Sequence, residues 1–397
     1  MADFADSNLV ALRYFPETTW GVEASSETMQ ALNYSSESLK SNVQTVTSET
    51  IRSDRNVSDI TPVGGGAGGD VGFELRYGDI DELIAGAMLN DWVSARVSTA
   101  VASAYFSGTT VTISDQVHNG AYQVGQFFRV SNATTSGNDG DFRVSAVTSV
   151  DVSTVTLSLA TASSGADIAF AGEVFGASTK LQGNNIRNGT TKKSYTIEKS
   201  FSDVSTTAVY TGMRVTSMAL NFESQSILSG SFGFTGKTQT TASATIASAV
   251  AAAATTDIMN ASGNVGSVWE GGQAVTGVCF QTLSIDLNNN PREQACVGSD
   301  TLQGVGLGRC EITGNITAYF ENNALIDKFT SNTKSNFRFQ VTDNAGNSYI
   351  VDVPRVTYTD FTIAAGGGNQ DIVQDGTWGA SVDSSGSYAI QITSLEG

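Results

Sequence analysis

Histidine is almost missing from these 397 residues: the only one is His118. A serine- or cysteine-type hydrolase needs a histidine base with an orienting partner. With Asn119-Gly120 behind it, His118 reads as a surface-loop residue, so nothing here assembles an enzyme. Cysteine is scarce as well. Cys279, Cys296 and Cys310 are an odd number without CxxC spacing, which argues against a disulfide framework or a zinc cluster and predicts buried free thiols. Cys310 falls in phase with Ile312 and Ile316 on an apolar strand face. Charge is sparse at 15% of residues, and the basic kind is the scarcer: 21 Lys+Arg against 39 Asp+Glu, a formal net charge of −18 and a pI near 4.3. Such a surface repels a phosphate backbone and disfavours ordinary nucleic-acid binding. No run of about 18 apolar residues is present, and the Ala-rich stretch 247–254 is too short and too weakly apolar to span a bilayer. The start, Met1-Ala-Asp3-Phe-Ala-Asp6, is acidic where a signal peptide is basic, so the expectation is a protein made and kept in the cytosol, at least at first. Proline numbers 4, while Ser, Thr, Asn and Gly abound, the composition of a β protein with many turns.

What the chain does contain is a pattern stated twice. Val71-Gly-Phe73-Glu-Leu75-Arg-Tyr77 alternates as a half-buried strand and runs into Asp79-Ile-Asp-Glu-Leu83-Ile84. Asp79, with Glu82 three residues on, predicts a capped helix whose stripe of Ile80, Leu83, Ile84, Ala87 and Met88 packs back on Phe73 and Leu75. About 240 residues later Ile312-Thr-Gly-Asn-Ile316-Thr-Ala-Tyr-Phe320 leads into Asn322-Asn-Ala-Leu325-Ile326-Asp. Tyr210-Thr-Gly-Met-Arg214-Val-Thr-Ser-Met218 matches Asp352-Val-Pro-Arg355-Val-Thr-Tyr-Thr359, and Ile227-Leu-Ser-Gly-Ser-Phe-Gly matches Ile372-Val-Gln-Asp-Gly-Thr-Trp-Gly. A repeated β-rich unit can occupy successive positions in a ring.

The predicted organisation is a first unit in two pieces, 1–92 and 176–240, an inserted small β domain at 93–175, a connector at 241–275 and a second unit at 276–397. The insert reads as short strands at 110–113, 127–130, 142–147 and 154–159, separated by turn clusters. Present in one copy only, it is expected to project from the surface and leave the shared core alone. In the second unit, 337–341 and 349–353 flank Asp343-Asn-Ala-Gly346-Asn, a hairpin signal. The cluster Gly64, Gly65, Gly66, Gly68 and Gly69 reads as a loop, since glycine resists regular structure on entropic grounds. No Lys-Ser/Thr follows it, so it is not a phosphate cradle. Asp286-Leu-Asn288-Asn-Asn290 starts like a calcium loop, but Pro291 stands where glycine is required. No cofactor and no metal is implied.

Several stretches carry a resemblance: Thr50-Ile-Arg52-Ser-Asp54-Arg55, Phe73-Glu-Leu-Arg-Tyr77-Gly-Asp79, residues 201–218, Asp257-Ile-Met-Asn-Ala-Ser-Gly, Gly306-Leu-Gly308-Arg-Cys310, residues 314–320 and Pro354-Arg355-Val356. Across nearly the whole chain outside the insert, the sequence resembles the tail tube proteins of long-tailed bacteriophages. The resemblance implies a mainly β fold: two tandem β-sandwich or barrel units, each with a flanking short helix, plus the inserted β domain. It implies a virion structural protein, assembled in the host cytoplasm, whose stacked rings make the conduit for DNA ejection. Its partners would be its own copies, a tape-measure protein and double-stranded DNA passing without specific binding. Single-unit relatives form hexameric rings, so a doubled chain suits trimeric rings of pseudo-sixfold symmetry, with hexamers as the alternative. Six units of four strands would close a barrel of about 24 strands, about 48 Å across at the backbone with a clear bore near 38 Å. The candidate lumen-facing charges are Glu74, Arg76, Asp203, Glu223, Asp286, Glu311 and Asp352, and the glycine cluster is the candidate inter-ring loop. An adhesin or carbohydrate-binding β protein using the insert is the other reading of the same composition.

Overall fold

Alternation of apolar with small polar residues makes most of this chain strand. The computed structural model describes residues 4–23, 26–97, 104–114, 122–149, 154–162, 169–175, 178–271, 273–274, 279–365, 367–383 and 388–397; His118 lies outside them. The chain opens with β1 (Val10–Pro16), β2 (Thr28–Leu32), β3 (Ser36–Glu37), β4 (Lys40–Thr47) and β5 (Ile60–Glu74), then helix α1 (Asp81–Met88). Next come β6 (Val93–Val97), β7 (Tyr105–Gly108), β8 (Thr110–Ile113), β9 (Phe127–Ser131), β10 (Gly140–Ser149), β11 (Val155–Thr161) and β12 (Phe170–Val174). The middle holds β13 (Lys180–Arg187), β14 (Tyr195–Phe201), the long β15 (Thr206–Glu223), β16 (Ser229–Gly236), β17 (Thr238–Ala242) and β18 (Ala249–Ala251). The last part holds β19 (Val265–Glu270), β20 (Gln273–Ala274), β21 (Phe280–Asn288), β22 (Arg292–Gln294), β23 (Gly304–Gly306), β24 (Glu311–Tyr319), α2 (Ala324–Thr330), β25 (Ser335–Thr342), β26 (Ser348–Ala364), β27 (Val373–Ala380) and β28 (Gln391–Leu395).

Eight of these strands lie side by side, all antiparallel, in the order β4-β5-β16-β15-β21-β24-β27-β26. The order is a four-strand pattern used twice. Gly230 facing Phe73 and Leu220 in the first half has its counterpart in Gly376 facing Ile316 and Phe361 in the second. Beyond the sheet the likeness continues. Thr207↔Ala242 and Thr211↔Thr238 of β15 and β17 correspond to Ser348↔Leu395 and Asp352↔Gln391 of β26 and β28. In turn, β1 on β14 corresponds to β19 on β25. The joint between the halves is itself a strand pairing, with Ser217 to Glu223 of β15 against Asn288 to Thr282 of β21. The stretch 241–275, expected as a connector, contributes short strands to the sheets: the end of β17 pairs with β15, β18 with β2, and β19 with β25.

One face of this sheet is buried. Val71, Phe73, Phe232, Leu220, Ile285, Ile316 and Trp378 join a hydrophobic cluster that runs through both halves without a break. The α1 stripe packs into it, with Ile80, Leu83, Ile84, Ala87 and Met88 all buried. Gly86 lets the helix close on Tyr195, whose hydroxyl donates to the Glu82 carbonyl at 2.7 Å. Leu89, in the left-handed region at φ 52°, ends the helix. Asp79 does not cap it. The helix starts at Asp81 without a side-chain cap, and buried Asp79 accepts instead from Asn33 Nδ2 at 3.1 Å and from the Ala254 amide at 3.2 Å. The carboxylate is spent on tying a distant segment down, so the helix end does without it.

The glycine cluster is strand, not loop: residues 64–69 lie inside β5. The reason is close approach. A Cβ at Gly65 would stand 2.1 Å from the Asn42 carbonyl oxygen, and one at Gly69 (φ +144°) 2.4 Å from that of Ser38, so only glycine lets β4 lie this near.

The insert has its own core, in which Phe106, Phe128, Phe142, Leu157 and Phe170 are buried together. The strands expected at 110–113, 127–130, 142–147 and 154–159 fall in β8, β9, β10 and β11. It is also bound to the second half. Arg129 donates to Ser348 Oγ at 2.9 Å and to the Gly346 carbonyl, and Arg338 donates to the Ala162 carbonyl, while β13, just past the insert, pairs with β28.

The cysteines depart from expectation. All three are free, but Cys279 and Cys296 are exposed, and only Cys310 is partly covered. Cys296 is on the β22–β23 connection and Cys279 just ahead of β21, where no apolar face claims them. Burial, with Glu311 beside it, pushes the Cys310 thiol up to about 11. A maleimide at neutral pH is therefore expected to add to two sites per chain within minutes and to the third only after denaturation, as read by intact mass.

Candidate functional site

The solvent side of the eight-strand sheet is a single polar surface, built by the parity that buries the other side. Its rows can be followed across strands. Glu74, Ser229, Asn221 and Ser284 face one another in turn. Ser284 Oγ accepts from the Asn315 amide at 3.2 Å, and Asn315, Thr377 and Asp360 continue the row. A second row runs Glu223, Thr282, Thr317, Asp375, Thr362. A third runs Gly72, Ser231, Ala219, Asp286, Thr313, Gly379. A fourth runs Asp70, Gly233, Ser217, Asn288, Glu311.

The surface thus carries seven carboxylates among Ser, Thr, Asn and Gly, and the rows contain no lysine, arginine or aromatic side chain. Two carboxylates have distinct environments. Burial holds Asp286 above the usual carboxylate range, partly offset by the Ser284 hydroxyl. The Arg309 guanidinium holds the exposed Glu311 below that range. Short neutral side chains and acids make up these four rows, and the cations stand at their edge: Arg309 paired to Glu311, and Lys40 and Arg214 in the next row beyond Asp70.

Of the seven charges singled out in the sequence, Glu74, Glu223, Asp286 and Glu311 stand on this surface. Arg76 lies past the end of β5, where its guanidinium donates to the Thr256 carbonyl at 2.7 Å. Asp203 sits in the β14–β15 turn and accepts from the Asp6 amide. Asp352 is a correction. It is 1% exposed, accepts from Arg338 Nε at 2.9 Å and from the Tyr388 hydroxyl at 3.0 Å, and faces no solvent at all. Sequence reading missed Asp70, Asp360 and Asp375. Asp70 is in phase with Glu74, and Asp375 alternates with buried Gly376 and Trp378, so a parity count along each strand would have found both.

Among the described residues no group of three His, Cys, Asp or Glu side chains could hold a metal ion, and no helix is long and apolar enough to cross a membrane. The Gly65 region is where the halves touch again: the Leu302 amide donates to the Gly65 carbonyl at 3.2 Å, and Leu302 and Val305 are buried there.

No curated protein sequence matches the chain. The family described as phage tail tube protein matches residues 7–380, nearly the full length, and the protein belongs to that family.

Proposed function

We propose that three copies of this chain close their eight-strand sheets into one ring, that rings stack into the tail tube, and that the polar surface lines its bore. The observation that carries the reading is the β15–β21 joint. Within the chain, the last strand of one four-strand set hydrogen-bonds to the first strand of the next. The same two kinds of edge remain open at the ends. From Thr357 onward β26 pairs only with β27, and β3 and β4 pair only with β5, among the described residues. Open edges invite pairing, and ring closure removes them. Carrying the internal register across sets Asp360 opposite Ser38 and Thr362 opposite Ser36 of the next copy.

Three sheets of eight strands give about 24 strands and a backbone diameter near 48 Å. A duplex about 20 Å across passes with room for water and ions. Three copies at −18 each carry −54 formal charges, and the acids on the sheet's polar surface repel phosphate at a range set by the ~10 Å screening length of 0.1 M salt. The bore is a conduit that does not hold its cargo, and a tape-measure protein would occupy it before DNA does.

Electron microscopy of the purified protein with mass measurement of its rings tests this. Stacked rings of three chains are expected, forming more readily as salt rises from about 0.01 to 0.15 M because wall repulsion is screened. Rings of six chains would overturn the stoichiometry, and a monomer at every concentration and salt would overturn the tube role.

A further inference from the structure

The internal repeat extends beyond the sheet to the hairpins at its end, and there the two halves differ in one respect. In the second half, β22 and β23 form a hairpin in which Glu293 faces Val305 and Gln294 faces Gly304. Its counterpart is the outer part of β4–β5, where Thr45 faces Pro62 and Val46 faces Thr61. The second hairpin is seated on the first half: Thr301 bridges to Gly65, and the Val305 carbonyl accepts from the Arg214 guanidinium. Val305 is 1% exposed in consequence.

The first hairpin has no such seat. Every residue of β4 is exposed, and so are the apolar side chains Val43, Val46, Ile60 and Val63. The seat, however, exists in duplicate. The residue corresponding to Arg214 is Arg355, by the sequence match of 214–216 with 355–357 and by the shared pairings of β15 and β26. The residue corresponding to Gly65 is Gly308, by the shared pairings of β5 and β24. Arg214 is engaged within the chain. No side-chain hydrogen bond or ion pair engages Arg355 among the described residues, and it lines an open cleft with Lys334, Asn336 and Asp383.

We propose that the β4–β5 hairpin of one copy docks in the Arg355 cleft of the next copy, with the Pro62 carbonyl accepting from Arg355 as the Val305 carbonyl accepts from Arg214. The partner is a second copy of this chain. The inference rests on the ring reading and adds to it an arm that clasps each joint outside the β26 edge. A carbonyl acceptor suits the site because proline, though lacking an N–H, keeps its C=O free. Burying the exposed apolar side chains on the docked face of the arm gives the contact its driving force, and the guanidinium fixes its register.

The test compares unsubstituted protein with Arg355→Ala, and adds Thr61→Cys/Lys334→Cys, which keeps Arg355 and places the second thiol on the cleft wall, in a Cys279→Ser/Cys296→Ser background. Arg355→Ala is expected to keep the thermal midpoint of the monomer and to raise the concentration needed for tube formation at least tenfold, measured by sedimentation. With a short bis-maleimide, the double-cysteine protein is expected to give covalent species of two and three chains, while each single-cysteine protein stays monomeric in denaturing gels. If Arg355→Ala assembles like the unsubstituted chain and no cross-linked species form, the docking is wrong while the ring reading stands. If the unsubstituted chain itself never assembles, the ring reading falls and takes the docking with it.

Discussion

Asp352→Ala is expected to remove about 3–5 kcal/mol of folding stability, the cost of breaking a buried ion pair from one side, and to lower Tm by on the order of 10 °C. The carboxylate joins three parts of the molecule. It lies on β26, takes Arg338 of β25 on one oxygen and Tyr388 on the other, and through Arg338 holds the Ala162 carbonyl of the insert. Arg338 is 9% exposed and lies 4.8 Å over the Phe127 ring. Without Asp352 its charge would be left with one carbonyl and an aromatic face. Asp360→Ala is the control on the same strand. Asp360 is on the solvent surface, and its loss should change monomer stability by no more than about 0.5 kcal/mol. Thermal melts of the two variants followed by circular dichroism decide the matter. Equal small shifts would mean that Asp352 is not held as described, and that the insert is joined to the second half chiefly through Arg129.

The contrast between these two aspartates shows where sequence reading stops. Each is followed by an apolar residue, Val353 or Phe361, and simple parity puts both on one face. β26, however, changes phase twice: its pairing with β25 slips between Val353 and Val356, and its pairing with β27 slips between Tyr358 and Asp360. Each slip moves the later side chains to the other face, and two slips cancel, so Asp352 and Asp360 both lie opposite the core side chains Val353 and Phe361. What separates them is the cover over Asp352, which comes from the insert and from Tyr388 and is invisible in the local pattern. What was legible is what local periodicity encodes: the Val71–Phe73 alternation, the α1 stripe from Ile80 to Met88, the strands of the insert, and the doubled pattern itself. The glycine run was misread for the opposite reason. Five glycines are costly in a strand taken alone, and only the close passage of Asn42 and Ser38 makes them necessary. Asp79 was read as a cap from spacing that was correct, but tertiary partners at Asn33 and Ala254 claimed the carboxylate first.

A second large loss is expected from a single methyl group. Gly314→Ala would put a Cβ 2.1 Å from the Ser284 carbonyl oxygen and 2.3 Å from Cζ2 of Trp378, a ring that is 1% exposed. Neither neighbour can easily give, since one is backbone of the adjoining strand β21 and the other fills the core, so a loss of about 3 kcal/mol or more is expected. The two halves explain the glycine. At the matching cross-strand position the first half sets Val71 against Phe232, and the second sets Gly314 against Trp378. The larger ring in the second half takes the volume that the missing side chain leaves. Trp378→Phe alone should cost on the order of 1 kcal/mol through lost packing. In the double variant the ring clash is relieved but the Ser284 carbonyl remains. The double is therefore expected to be more stable than the sum of the singles predicts, by a coupling energy of about 1–2 kcal/mol, and still less stable than the unsubstituted chain. Urea titrations of the four proteins measure this directly. Strict additivity would show that Trp378 yields without cost, and that the β21 backbone alone demands glycine at 314.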